Sequence, residues 1–464
     1  MTNSIKHSLR ESKTARWSAL AIVSFTMLTG YFLTDVIAPL KGLLEGHLGW
    51  TSSDFGFFNS AYGWFNVFLG MLILGGIILD KMGVRFTGLM ATIVMVTGTA
   101  LKYWAVSTHS LDGQSWHILW FDVNAQVFMA ALGFGIFAVG VEVAGITVSK
   151  IIYKWFKGKE LALAMGLEMA TARLGTALAL ATSVPIAKAL GVTDVSRPIL
   201  LALILLCIGV LAFVIYIFMD KKLDASEPVK SSQTMEDEAF RMSDIIQIVT
   251  NKGWWYIAIL CVLFYSAVFP FLKYAADLMV NKFGVSDDLA GTIPSMLPFG
   301  TILLTPFFGS LYDRKGKGAS IMIIGAFLLI FVHTMFAIPF LNHWIISIIL
   351  ILVLGVGFSL VPSAMWPSVP KIIPERQLGT AYALIFWVQN WGLMGVPALI
   401  GWVLDKYCIT GQTIRDGITV NTYDYTLPMT IFAGFGVLAL LFAYLLKRED
   451  AVKGYGLQEP NIQH

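Results

Sequence analysis

GGIILDKMGVR at residues 75–85 and GSLYDRKGKG at residues 309–318 share one pattern, G-x-x-x-D-[KR]-x-G. The fixed positions are Gly76, Asp80, Lys81 and Gly83 in the first copy, with Arg85 just beyond. In the second they are Gly309, Asp313, Arg314 and Gly316. Each copy is a short charged loop between long apolar stretches. A second echo pairs KELALAMGLEMATARLG (159–175) with RQLGTAYALIFWVQNWG (376–392), which sets Arg173 opposite Asn390 and Gly175 opposite Gly392. One charged turn would be generic; two at equivalent places mark an internal duplication. Glycine lets helices approach closely, and an aspartate at a helix end meets a neighbouring N-terminus or a base. Asp80 and Asp313 are therefore expected to contact neighbouring helix ends, as latches rather than ligand-binding groups.

The rest of the chain fits around these loops. Of 464 residues, 57% are hydrophobic and only 13% charged, and the net charge is +3. Mean hydropathy is +0.73. Soluble domains carry roughly 25% charge, so a soluble enzyme, a coiled coil and a disordered chain are excluded. The apolar residues come in blocks long enough to span a bilayer as helices, without the short alternating segments of a β-barrel. Twelve spans are predicted: 17–40, 55–79, 86–106, 118–149, 160–187 and 198–220, then 254–280, 288–311, 319–340, 343–371, 377–404 and 427–447. This gives an all-α membrane protein of two six-helix halves, 17–220 and 254–447. A tail at 1–16, a linker at 221–253 and a tail at 448–464 complete it. The linker's RMSDIIQIV reads as a short amphipathic helix. Most of the 32 Lys and Arg residues fall in the tails, the linker and the even-to-odd loops, which places both termini in the cytoplasm. Two six-helix repeats related by an axis along the membrane normal are a layout of secondary transporters.

The three cysteines, Cys207, Cys261 and Cys408, have no metal-ligand spacing and read as buried free thiols. No phosphate-binding loop, zinc spacing, nucleophile elbow or basic nucleic-acid stripe is found. No cofactor, metal or nucleic acid is expected. The partners are the lipid bilayer, a small-molecule substrate and, if transport is coupled, protons.

Ionisable residues inside a bilayer are costly and point to function. They are Asp35, Glu142, Glu168, Arg173 and Lys273. Glu142 and Arg173 lie at compatible depths on consecutive helices. They read either as a structural pair or as the two grips on a ligand carrying both charges. Lys273 and Asp277, one turn apart, read as a local pair at the outer rim or as a gate. Asp35 has no partner defined by pattern and reads as a gate, a proton site or a satisfied rim group. His333 reads as a packing residue.

The two loop motifs and the six-plus-six layout resemble the major facilitator superfamily. The likeness narrows in YFLTDVIAPL, YKWFKGKELALAMGLEMATARLG, LFYSAVFPFLKYAADLMVNKFGVS and GVGFSLVPSAMWPSVPKIIPERQLGTAYALIFWVQNWG. These resemble the lysosomal dipeptide transporter branch; WFKGKEL, AVFPF and PE-x-QLGTAY are the more specific pieces. The resemblance implies a transporter of short peptides, with a cationic-dipeptide preference in animal members. It implies binding residues at Tyr62 in AYGWFNV, Glu142 in GVEVAG, Arg173 in MATARLG and Trp366 in SAMWPS, with Asn390 added by the internal echo. Two positions depart from the branch: Glu168 stands where a neutral amide is expected, and Lys273 follows FPFL in place of a small or apolar residue. Neither tail carries an acidic dileucine signal, and no N-x-[ST] acceptor occurs. The expected setting is a bacterial cytoplasmic membrane. Two alternatives stay open: an organic-anion or sugar-acid transporter of the same superfamily, and a non-transporting accessory or sensor protein. An accessory subunit also stays open.

Overall fold

The computed structural model describes residues 11–118, 121–157, 159–226, 242–415 and 417–461. The calls on residues 1–10, on 227–241 of the linker and on 462–464 lie outside them. The first half is built from α1 (Lys13–Asp35), α2 (Lys41–Leu48), α3 (Ser52–Phe68), α4 (Met71–Ser107), α5 (Ala125–Phe156), α6 (Leu161–Ala187) and α7 (Arg197–Ser226). After the short α8 (Met242–Val249), the second half runs through α9 (Lys252–Phe283), α10 (Asp287–Ala290), α11 (Thr292–Lys315), α12 (Gly318–Ala337), α13 (Trp344–Ile372), α14 (Leu378–Tyr407) and α15 (Thr426–Lys453).

Eleven helices among the described residues are long and apolar enough to cross a membrane. The remaining predicted span, 55–79, is present in two pieces. The 17-residue α3 reaches Phe68, the chain breaks at Gly70 in the left-handed region, and the first part of α4 continues to the loop motif. Gly83 then leaves helical geometry, with φ 77° and ψ 172°, and separates that part from the true third span. The fourth position of the other motif copy, Gly316, also has a positive φ of 66°. A side chain would be strained at either site, so the second glycine of the motif is what turns the chain.

The fourth span begins at Ala125, later than the predicted residue 118. Residues before it form an antiparallel hairpin of β1 (Ser115–Ile118) and β2 (Phe121–Asn124). A second hairpin, β3 (Ile409–Arg415) and β4 (Ile418–Tyr423), precedes α15. Both lie on the face opposite the loop motifs, so the two ends of the bundle are called the hairpin face and the motif face. Local signals start α3 and α9. Thr51 and Asp54 form a reciprocal capping box at α3, and Asn251 caps α9.

The halves meet where α3 packs on α14 and α6 packs on α11. The second echo is structural. A Cβ on Gly175 would lie 2.2 Å from the Leu28 carbonyl oxygen on α1, and one on Gly392 would lie 2.1 Å from Ser266 Oγ on α9. Gly76 and Gly309 differ. Nothing among the described residues lies within 4 Å of a Cβ built on either. They mediate no close helix approach in this state, contrary to the expectation for the motif.

Toward the hairpin face the α3–α14 seam is tight. A Cβ on Gly401 would meet the Ser52 carbonyl oxygen at 2.3 Å and Gly56 Cα at 3.0 Å. Gly401→Val is expected to wedge α3 from α14, at a cost of about 1–3 kcal/mol to the closed arrangement. Thiol labelling at Ser53→Cys should then become faster than in the parent; an unchanged labelling rate would show that the seam accommodates the side chain.

Candidate ligand cavity between the halves

A cavity lies between the two halves. From the first half Tyr31, Thr34, Asp35, Asn59, Tyr62 and Glu142 line it; from the second come Phe269, Pro270, Lys273, Gln389, Leu393 and Pro397. Apolar walls with a few converging polar groups are typical of small-ligand sites.

Glu142, on α5, accepts a hydrogen bond of 2.7 Å from the Tyr62 hydroxyl on α3. Arg173, on α6, is not its partner. The guanidinium lies over the rings of Phe269 and Phe358, 5.6 and 5.0 Å from their centroids. Tyr31, on the cavity wall, stands within electrostatic reach of Glu142, Arg173, Glu168 and Asp35. Among the described residues Glu142 and Arg173 each lack an ion-pair partner. The site thus offers a carboxylate without a cation and a guanidinium without a carboxylate around one aromatic wall. Glu168 lies on the same helix as Arg173, half-buried and within its electrostatic reach.

Three expected binding residues are not on the cavity wall: Arg173, which lies behind the wall residue Phe269, and Trp366 and Asn390. Trp366 donates its indole N–H to the Tyr265 hydroxyl at 3.2 Å and packs on Phe386 with centroids 5.0 Å apart. Asn390 is buried and donates to the Phe386 carbonyl at 3.0 Å. Its neighbour Gln389 faces the cavity instead and accepts a weak contact from Cys261 Sγ at 3.5 Å. One residue of helical rotation separates the two amides, and the sequence carries no signal to choose between them.

The cavity is closed toward the hairpin face by cross-half contacts, and here the local-pair reading of Lys273 and Asp277 is corrected. Lys273 Nζ binds Asp35 Oδ1 at 2.6 Å and the Thr34 carbonyl at 2.7 Å. Asp35 also accepts from Thr176 Oγ1 at 2.8 Å. Asp277 pairs with Lys41 at 2.9 Å and accepts from the Tyr425 hydroxyl. Lys273 and Asp277 each find a partner on the other half because α9 turns both toward α1 and α2. Further out, Lys188 meets Asp288 at 2.8 Å. Asp405, near the end of α14, accepts from the backbone amides of Ser52 and Ser53 at the start of α3. That placement pairs an anion with the positive end of a helix. The β3–β4 hairpin of the second half lies on α2. Glu45 accepts from the Asn421 amide at 2.8 Å and the Tyr423 hydroxyl at 3.1 Å. Burial pushes the Tyr423 hydroxyl up from its ordinary pKa, so it remains a donor.

On the motif face the latch aspartates have different partners. Asp80 accepts from Lys150 Nζ at 2.7 Å, late on α5. Among the described residues Asp313 contacts no neighbouring helix end. It accepts from Asn461 Nδ2 at 2.8 Å, and the tail segment 456–461 folds over the turn at Gly316, with Lys317 and Gly318 amides donating to the Gln458 and Leu457 carbonyls. Arg85 pairs with Asp220, at 2.7 Å, and with Asp224 on α7. Neither Asp80 nor Asp313 lines the cavity. Asp80→Asn is therefore expected to slow transport severalfold while the ligand Kd stays within about twofold, since an exposed ion pair is worth only about 1 kcal/mol or less. Paired uptake and calorimetry would check this; a large affinity loss at unchanged maximal rate would refute it.

His333 is fully buried between Phe271 and Phe432 and bonds the Ala267 carbonyl at 2.9 Å, a packing role. All three cysteines are free, but Cys207 is exposed rather than buried, because its face of α7 points outward from the bundle.

Comparison with known proteins agrees with this architecture. The Major Facilitator Superfamily model matches residues 20–397 and 255–460. The lysosomal dipeptide transporter MFSD1 of Danio rerio is 27% identical over 401 residues, covering 83% of this chain and 80% of the relative. Its Homo sapiens counterpart is 27% identical over 405 residues, covering 84% and 80%. Among solved structures, a bacterial homolog of the human lysosomal transporter Spinster, inward-facing and unoccupied, superposes with a TM-score of 0.68. It is 12% identical and covers 94% of this chain and 98% of that one.

Proposed function

The chain belongs to the major facilitator superfamily, a family of multi-pass membrane transporters rather than enzymes, and from that premise we propose that it moves free dipeptides by alternating access. One observation carries the substrate class: among the described residues Glu142 and Arg173 each lack an ion-pair partner, and both stand within electrostatic reach of the cavity-wall Tyr31. Glu142 takes the ligand's ammonium end, assisted by Tyr62, and Arg173 takes its carboxylate. A guanidinium forms two parallel bonds to a carboxylate, which fixes orientation as well as charge. The likeness to dipeptide transporters supports the same assignment. Trp366 and Asn390 shape the site from behind, through Tyr265 and Phe386.

The surplus of Lys and Arg at the motif face supports cytoplasmic termini, and a bacterial cytoplasmic membrane is the setting proposed. Asp80, Lys81, Gly83 and Arg85 with Asp313, Arg314 and Gly316 serve gating at that face, while Asp35 and Lys273 gate the other.

Purified protein should be stabilised in a thermal-shift assay by free dipeptides, and N-acetylated or C-amidated forms of the same dipeptides should compete poorly. Equal binding of blocked and free dipeptides would show that the end charges are not read. Stabilisation by sugar acids alone would replace the substrate class with an organic anion.

A further inference from the structure

Lys102 lies five residues before the end of α4, within the bundle, and plays no part in the site described above. Its side chain has 0% exposure, and Nζ has no hydrogen-bond partner among the described residues. The amine sits over two aromatic faces, 5.0 Å from the centroid of Phe58 on α3 and 4.7 Å from that of Phe134 on α5. Lys273 Nζ lies 6.0 Å from the same Phe134 ring. The charged groups within electrostatic reach are Asp35 on α1 and Lys273 on α9; α3 and α5 present the two rings. The close approach of α4 and α5 seals the position, since a Cβ on Gly133 would touch the Lys102 amide nitrogen at 2.6 Å.

Both lysines thus lie within electrostatic reach of Asp35, and in this state Lys273 holds it. A buried ammonium with no acceptor is strongly disfavoured, and the ring faces restore only part of the lost hydration. The neutral amine suits the arrangement with the hairpin face closed. Lys273 and Asp35 belong to different halves, however, while Lys102 and Asp35 belong to the same half. When the halves part at the hairpin face, Asp35 loses Lys273 while Lys102 stays within its electrostatic reach.

We propose that Lys102 is the proton-binding site that couples this transporter to a proton gradient, taking up a proton as the hairpin face opens and releasing it as that face closes. The amine lone pair accepts H⁺ from water admitted at the hairpin face and forms an ammonium facing the freed Asp35. On closure Lys273 reclaims Asp35, and the proton leaves through the cavity to water at the motif face. Proton and substrate then move in the same direction.

The inference rests on the alternating-access reading, and its test needs no ligand. Spin labels at Val192 and Phe340, both exposed and on different halves, report separation at the hairpin face. The native cysteines are replaced in this background. Between about pH 8 and about pH 6 the ratio of hairpin-open to hairpin-closed molecules should rise roughly tenfold or more. Lys102→Met should remove that dependence and stay closed; Lys102→Arg, permanently charged, should favour the open form at both pH values. A pH-independent ratio in the parent, or an unchanged pH response in Lys102→Met, overturns the proposal while leaving two-state transport intact. If the parent shows one separation under all conditions, alternating access itself fails, and this inference with it.

Discussion

Replacing Arg173 with alanine is expected to weaken binding of a free dipeptide at least tenfold. The guanidinium has no carboxylate partner among the described residues and is held in place over the Phe269 and Phe358 rings. A charge-assisted hydrogen bond to a charged group is worth about 1.5–3 kcal/mol, and each 1.4 kcal/mol is about tenfold in Kd. Arg173→Lys keeps the charge but loses the planar fork and its stacking, so it should fall between parent and alanine. C-amidated dipeptides supply the control. They lack the carboxylate that Arg173 holds, so their already weak binding should change little in Arg173→Ala. Calorimetry on the four combinations measures the coupling. A Kd within twofold of the parent for Arg173→Ala with the free dipeptide would remove Arg173 from the site.

The second large effect is expected at Asp277. Its carboxylate is buried and joins Lys41 of the other half at 2.9 Å, with the Tyr425 hydroxyl and Asn281 as further donors. Removing one partner of such a pair costs about 3–5 kcal/mol when the other charge is stranded. Lys41 keeps some compensation from Glu45, 3.8 Å away, and from the Tyr423 ring, 4.0 Å from its centroid. Asp277→Asn should still shift the balance at least tenfold toward the hairpin-open form, read by the Val192–Phe340 spin-label distance. The double variant Lys41→Met/Asp277→Leu removes both charges of the pair and leaves Glu45 its Asn421 and Tyr423 donors, so it should shift the balance less than the single one. A single variant that leaves the distance distribution unchanged would show that the closed face is held by its other contacts.

The duplication could be read from the chain because its physical demands are local. Gly83 and Gly316 must turn the backbone, and Asp80 and Asp313 must begin a charged loop, so the spacing repeats. The end of the third apolar block and the start of the fourth were harder. Residues 115–124 mix aromatic and apolar types that suit a strand as well as a helix, and the hairpin emerges only in three dimensions. Gly70 looks like any glycine in an apolar run, yet it splits a span. The cross-half pairs were invisible for another reason: Asp35 and Lys273 are 238 positions apart, and nothing near either one encodes the other. The local alternative, Lys273 with Asp277, satisfied helix geometry but not the direction in which α9 faces. Lys102 reads as a rim cation by its distance from the helix end; only the α4–α5 contact buries it. Likewise the tail residue Asn461 meets Asp313 through a fold-back that no periodicity announces.

The β3–β4 hairpin resting on α2 creates a surface patch drawn from both halves of one polypeptide. Gly46 sits under Ile418 and Val420, and Glu45 bonds across to Asn421 and Tyr423. That patch exists as a single epitope only while the two halves are together. An antibody fragment or designed mini-protein raised against the joined patch would therefore be a conformational sensor. It would stop turnover without entering the central cavity, and its affinity would measure how much of the population is closed.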